Sequence, residues 1–148
     1  MLLLPNARGG AVSMATLRRK SREFALQMLF EWDMTRQEPA RVEKLFWKTA
    51  KAADSTRQFA NQLFEGTISQ ADSIDALVTK LSENWRIDRL AAVDRSILRL
   101  GIYELRFKTA PARVAIDEAL ELAKKFSSEE APAFLNGILD AALKSLKE

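Results

Sequence analysis

TLRRKSREFALQMLFEWDMTR, from Thr16 to Arg36, is the stretch on which the fold turns. It opens with cations, becomes apolar and contains neither Gly nor Pro. At 3.6 residues per turn, Ala25, Met28 and Trp32 share one side. Leu26 and Phe30 fall roughly opposite, on the line that runs back through Glu23 to Arg19. A helix apolar on both sides is either the centre of a helical domain or has a second partner. Its start carries Arg18, Arg19, Lys20 and Arg22. Cations in a first turn oppose the helix dipole, so their concentration there calls for a compensating role.

Outward from this helix, every apolar segment keeps a helical period and no strand pattern competes. The spacing predicts helices over about 17–36, 40–53, 55–71, 74–81, 89–107, 112–126 and 132–146. Thr16 is the expected N-cap of the first. Pro39 and Pro132 suit first-turn positions. Ser55 with Gln58 matches a capping box, and Asp88 is a candidate cap for the fifth helix. The Asp72-Ser73 pair allows a break between two halves, and Ser82-Glu83-Asn84 with Trp85 reads as a linker. The expected inward residues include Val42, Leu45 and Phe46, then Leu90, Ile97, Leu98, Ile102 and Leu105, then Leu135, Ile138, Leu139 and Leu146. Gly101 in mid-helix costs about 1 kcal/mol against Ala, which implies close approach of another helix. The fold class is therefore all-α: about seven helices in two packed halves that share the first helix. Residues 1–15, with Pro5 and Gly9-Gly10, read as a flexible tail. Residues 16–148 read as one domain, with halves over about 16–72 and 73–148.

Composition narrows the chemistry. The chain has 148 residues, 47% apolar and 29% charged, which suits a globular protein with a substantial core. Cys and His are both absent. That removes disulfides, the common zinc ligands and every Ser-His or Cys-His nucleophile arrangement. No Gly-rich phosphate loop is present. The expectation is a non-enzyme with no cofactor and no metal. Asp117, Glu118 and Glu121 share one helix, but without a matching acidic cluster elsewhere they read as a solvated face. No segment has the length of a transmembrane span, and the start does not read as a signal peptide, so the expected location is cytoplasmic, away from the membrane.

Net charge is +3, and its distribution is uneven. Residues 1–23 hold five cations against the single acid Glu23, while the remainder has 18 basic and 19 acidic residues. A localised basic start points to nucleic acid or an acidic surface. The line from Arg19 to Phe30, flanked by Leu26 and Gln27, has the composition that single-stranded RNA uses: cations for phosphates, a ring for a base, an amide for a base edge. The other reading packs Leu26 and Phe30 against a neighbouring helix. Two further clusters carry paired readings. In VDRSILRLGIYELRF (93–107), Asp94, Arg95, Arg99, Arg106 and Tyr103 are expected on a solvated or protein-binding face. In KKFSSEEAPAFLNG (124–137), Phe134 either caps the core or stacks on a base, with Glu130 accepting from base edges. Gly137 would allow a tight helix crossing.

Three blocks then carry a resemblance. RRKSREFALQMLFEWD, NWRIDRLAAVDRSILRLGIYEL and RVAIDEALELAKKFSSEEAPAFLNGILD resemble, in order and spacing, the NusB family of bacterial transcription antitermination factors. The likeness spans about residues 17–143. It is weaker over 38–82, and residues 1–14 have no counterpart. It implies a non-catalytic adaptor that binds boxA RNA of ribosomal RNA leaders. Its implied partner is the small-subunit ribosomal protein NusE, with other Nus factors and RNA polymerase engaged indirectly and a homodimer as an alternative assembly. It places RNA-binding on Arg18, Arg19, Lys20, Arg22, Gln27, Phe30, Glu130 and Phe134, with Asp94 at the border of RNA and partner. The chain departs from the family at Phe30, where Tyr is common, and at Glu130, where Asp is seen. Phe keeps the stacking and loses a hydroxyl; Glu keeps the charge and shifts its reach. Two alternatives use the same helices: an RNA-recognition domain related to ribosomal RNA cytosine methyltransferases, or a helical protein–protein adaptor that binds no RNA.

Overall fold

The computed structural model describes residues 3–5, 11–82 and 86–147. Among them are seven α-helices: α1 (Met14–Thr35), α2 (Pro39–Thr49), α3 (Asp54–Ser69), α4 (Ala71–Leu81), α5 (Ala92–Phe107), α6 (Ala112–Phe126) and α7 (Ala131–Leu146). The class is all-α, as the periodicity requires. A short antiparallel pair, β1 (Leu3–Pro5) with β2 (Ala11–Ser13), precedes α1 and corrects the expectation that no strand forms. Glu83, Asn84 and Trp85 of the expected linker lie outside the described residues.

The helix ends show which local signals won. Helix α1 begins three residues before the expected start, because Ser13 rather than Thr16 is its N-cap. The Ser13 hydroxyl accepts from the Thr16 amide at 3.1 Å. The Ser55 capping box does not form, since α3 already starts at Asp54 after Ala53. Asp54 then supplies the acid that the first turn favours. The break between α3 and α4 falls at Gln70, ahead of Asp72-Ser73. Asp88 does not cap α5; it sits in a 3₁₀ turn (Ile87–Arg89), and α5 begins at Ala92.

Helix α1 is the hub. It packs against α2, α3 and α5, while α5 also packs on α6, α7, α3 and α4. The core reaches nearly all round α1: Phe24, Ala25, Leu26, Met28 and Leu29 are buried. Leu26 is therefore a core residue, which corrects its placement on the candidate RNA line. Such a leucine contributes about 1.5–3 kcal/mol through its burial. Leu45 in the middle of α2 and Leu146 at the end of α7, both expected inward, are exposed.

Two glycines permit close approach. A Cβ on Gly101 would lie 3.0 Å from a Leu139 methyl and 3.5 Å from Ala119 Cβ, so α5 meets α6 and α7 there as expected. A Cβ on Gly66 would come within 2.3 Å of the Tyr103 ring. That ring is buried and stacks on Phe107 at 4.8 Å. Gly137 plays no such part, because a Cβ there meets nothing within 4 Å.

Buried charge ties the helices together. Asp33 of α1 accepts from Arg95 and, at 2.7 Å, from Arg99, both on α5. Arg99 also holds Asp75 of α4 through two 2.8 Å bonds. Burial pushes the Asp33 carboxyl up, and the hydrogen bonds from Arg95 and Arg99 more than reverse that, leaving it below its ordinary value. Arg99 and Tyr103, expected on an outer face, are thus buried members of the core. The helical period left them there because a paired guanidinium satisfies a buried position that an unpaired one does not.

Candidate nucleic-acid interface

The cations at the start of α1 divide between two sides of the helix. Arg22 turns inward: only 3% exposed, it holds the equally buried Glu104 through bonds of 2.8–3.1 Å. Thr109 donates to the same carboxylate at 2.6 Å. Arg18 follows it, donating to the Thr109 carbonyl at 3.1 Å and lying 4.7 Å above the Phe59 ring. These two residues fasten α1 to the end of α5; Arg22 is closed off from the outer surface and Arg18 is half-buried.

Arg19 and Lys20 stay outside. Arg19 makes a forked pair with Glu118 of α6, at 3.0 and 3.1 Å. That hydrogen bond and the charge of Glu118 raise its already high pKa. Lys20 lies 3.6 Å from Glu23, which also receives Lys125 of α6 at 2.8 Å. Arg19, Glu23, Glu118 and Lys125 line one cleft between α1 and the end of α6 with Glu121 and Lys124. Three cations there face three carboxylates, so the cleft is a mesh of pairs rather than a bare positive surface. The lysines of α6 were not singled out from the sequence, although Lys124-Lys125 at a helix end is a legible signal.

Two residues beyond Lys125, the Ser127 hydroxyl donates to Asp94 at the start of α5. Asp94, Glu130 and Phe134 then line a second cleft with Arg89, Leu90 and Ser128. Asp94 of α5 is therefore brought together with Glu130 and Phe134 at the start of α7. Glu130 is exposed at the N-cap position of α7 and makes no cap bond with its side chain. Phe134 is half-buried and packs against the core.

Gln27 and Phe30 lie further along α1. Gln27 is exposed and lines a groove toward α2 with Glu31, Gln37, Val42 and Phe46. Phe30 is 40% exposed, and it makes no ring contact among the described residues. Of the two sides proposed for α1, one is core as expected. The other is core at Leu26 and open at Gln27 and Phe30.

Asp117 and Glu121, spaced like metal ligands, pair instead with Arg113 and Lys124. No group of acids able to hold a metal occurs among the described residues. No described helix is long and apolar enough to cross a membrane.

Residues 19–144 match the model of the NusB family. The chain is similar to "Transcription antitermination protein NusB" of Koribacter versatilis (strain Ellin345), at 47% identity over 131 residues. That alignment covers 87% of this chain and 90% of the relative. The protein of the same name from Geobacter sulfurreducens (strain ATCC 51573 / DSM 12127 / PCA) is 44% identical, covering 88% and 96%. Among solved structures, NusB of T. maritima superposes with a TM-score of 0.78 at 33% identity, covering 86% of this chain and 90% of that one. A structure described as antitermination factors NusB and NusE in complex with dsRNA gives 0.79 at 31% identity, covering 89% and 99%. With a family model spanning most of its length and relatives matched almost end to end, the chain belongs to the NusB family.

Proposed function

We propose that the protein is a transcription antitermination factor, a non-catalytic adaptor that binds boxA RNA together with NusE in the cytoplasm. The observation that carries the reading is the exposed Phe30 ring on the Arg19–Glu23 line of α1, just past the run of that helix buried over Ser21–Leu26 and at Met28 and Leu29. A ring left in water beside that buried run forgoes its burial energy, and base stacking offsets the loss. The surface runs from Phe30 along α1 to Arg19 and Lys20, across Lys125, and on to the cleft of Asp94, Glu130 and Phe134. Cations supply salt-sensitive affinity for phosphates, the rings stack bases, and Glu130 accepts from base edges. Asp94 borders the partner. Arg18 and Arg22 support this surface from beneath by holding α1 in place. A similar structure described as NusB and NusE in complex with dsRNA supports an RNA and a NusE partner here.

The test is a titration of labelled boxA RNA with the protein, alone and with NusE. The expected outcome is binding in both cases, tighter with NusE, because linkage makes each ligand favour the other. An absence of RNA binding in both would move the protein to the class of helical protein–protein adaptors.

A further inference from the structure

The outer face of α2 carries a charge pattern that the surface above does not use. Arg41, Lys44 and Lys48 recur at helical spacing, and Lys51 follows just after the helix. Lys44 and Lys48 line a cleft of about 430 Å³ with Arg57 of α3 and the Trp47 ring. All five cations are exposed, and none lies within salt-bridge distance of a carboxylate among the described residues. In an ordinary surface helix such cations acquire acidic neighbours one turn away. Here Lys44 and Lys48 stand about 6 Å apart along the axis with no acid between them.

The cleft has a stiff floor. Trp47 donates to Asn61 at 2.8 Å and packs edge-on against Phe24 and Phe46, with centroids 5.2 and 4.8 Å away. Arg57 lies 5.3 Å above the same ring. Phe24 carries Lys20 of α1 on its own face at 5.0 Å. One aromatic cluster thus joins the cation of the α1 surface to those of α2 and α3.

We propose that Lys44, Lys48 and Arg57 form a second nucleic-acid contact, which takes the sugar–phosphate backbone of RNA continuing beyond the element bound on α1. This rests on the function proposed above. Phosphodiester is the chemistry that fits, because the cleft offers point charges on a rigid face and little else. An acidic protein partner would want an apolar anchor at the centre of its contact, and the half-buried Trp47 ring has Phe24, Phe46 and Arg57 against it and offers the cleft only part of its surface. The one acid facing the cleft works in the same direction. Burial and the neighbouring Glu65 carboxyl push the Glu43 carboxyl up to about 8, against the opposing charge of Arg57, so the two carboxyls together bring about one negative charge to this face at neutral pH rather than two.

The experiment compares Lys44→Gln/Lys48→Gln with the parent on a short boxA RNA and on the same RNA lengthened at either end, across salt. Both lysines are exposed, and an unchanged thermal midpoint checks the fold. On one lengthened RNA the log–log salt slope should fall by about 1.4, two contacts at 0.7 each. The parent then loses about sevenfold more affinity than the variant over a fourfold rise in salt. On the short RNA the two proteins should agree. Equal slopes on every RNA overturn the proposal while leaving the α1 surface intact. Loss of short-RNA binding in the parent, with the lysine effect retained on the longer RNA, overturns the α1 reading and keeps this one. Binding of poly-glutamate through the two lysines without any effect on RNA overturns it in favour of an acidic protein.

Discussion

The start of α1 and the outer face of α2 are both rich in cations, and they spend that charge in opposite ways. On α1, Arg19 and Lys20 have carboxylate partners outside and Arg22 has one inside, while Arg18 is bound to a carbonyl and a ring. On α2, Arg41, Lys44 and Lys48 have none among the described residues. A count of charge along the chain ranks the first region as the positive one. The structure shows a largely neutralised mesh there and an uncompensated stripe on α2. Net charge therefore says little about where an anion binds until each cation's partner is known. A paired arginine serves architecture or is released by competition; a free lysine is available at once.

The comparison breaks most easily at Arg22. Arg22→Ala leaves Glu104 buried and charged, and the expected loss is about 3–5 kcal/mol of stability, read from urea unfolding. A variant of parental stability whose RNA affinity alone falls would return Arg22 to the outer surface. Next in size is Phe30→Ala. It should weaken RNA binding by about 1–3 kcal/mol, roughly 5- to 150-fold, with a change in stability below about 1 kcal/mol. If stability falls and affinity per folded molecule does not, Phe30 is a packing residue.

Two smaller effects sharpen the contrast. Glu118→Gln releases Arg19 from its forked partner and should tighten RNA binding a few-fold at low salt, the gain fading as salt rises. No gain at low salt would mean that Arg19 does not reach RNA. On the α2 side, Glu43 titrates near 8 in the folded chain, against 4.5 for the ordinary group. Between these values the folded state holds more protons, so this group makes stability fall as pH rises from about 4.5 to about 8 and contributes no slope outside that window. Glu43→Gln should remove that component, seen as unfolding midpoints that diverge from the parent as pH approaches 8. Parallel profiles would show that Glu43 is ionised throughout.

Much of the fold was legible because helical period is a local property. The buried line of α5, Ile97 through Leu105, follows from spacing alone, and α6 begins and ends where Pro111 and Ser127 suggest. Helix starts were less legible, since Ser13 competes with Thr16 over one turn and only the folded backbone chooses. The clustering of Asp94, Glu130 and Phe134 was expected from resemblance, not from periodicity. What the pattern hid was long-range pairing. Arg22 looks like any other cation until Glu104, 82 residues away, is seen beside it. Leu26 is apolar on either reading, and only the packing of α1 decides. The α2 stripe was visible as Arg41, Lys44 and Lys48 in sequence, but the near balance of acids and bases after residue 23 concealed it.

The contact between Gly66 and Tyr103 has a consequence for how such a sequence can change over time. The hydroxyl and ring edge occupy the space that any side chain at 66 would need, so neither position drifts alone. A larger residue at 66 becomes tolerable only after Tyr103 has shrunk, and a shrunken 103 first leaves a void that destabilises the chain. The easier order passes through a weakened intermediate with Gly still present. Homologous chains should therefore show these two positions varying as a correlated pair, small at one when large at the other, even where α3 and α5 share little else.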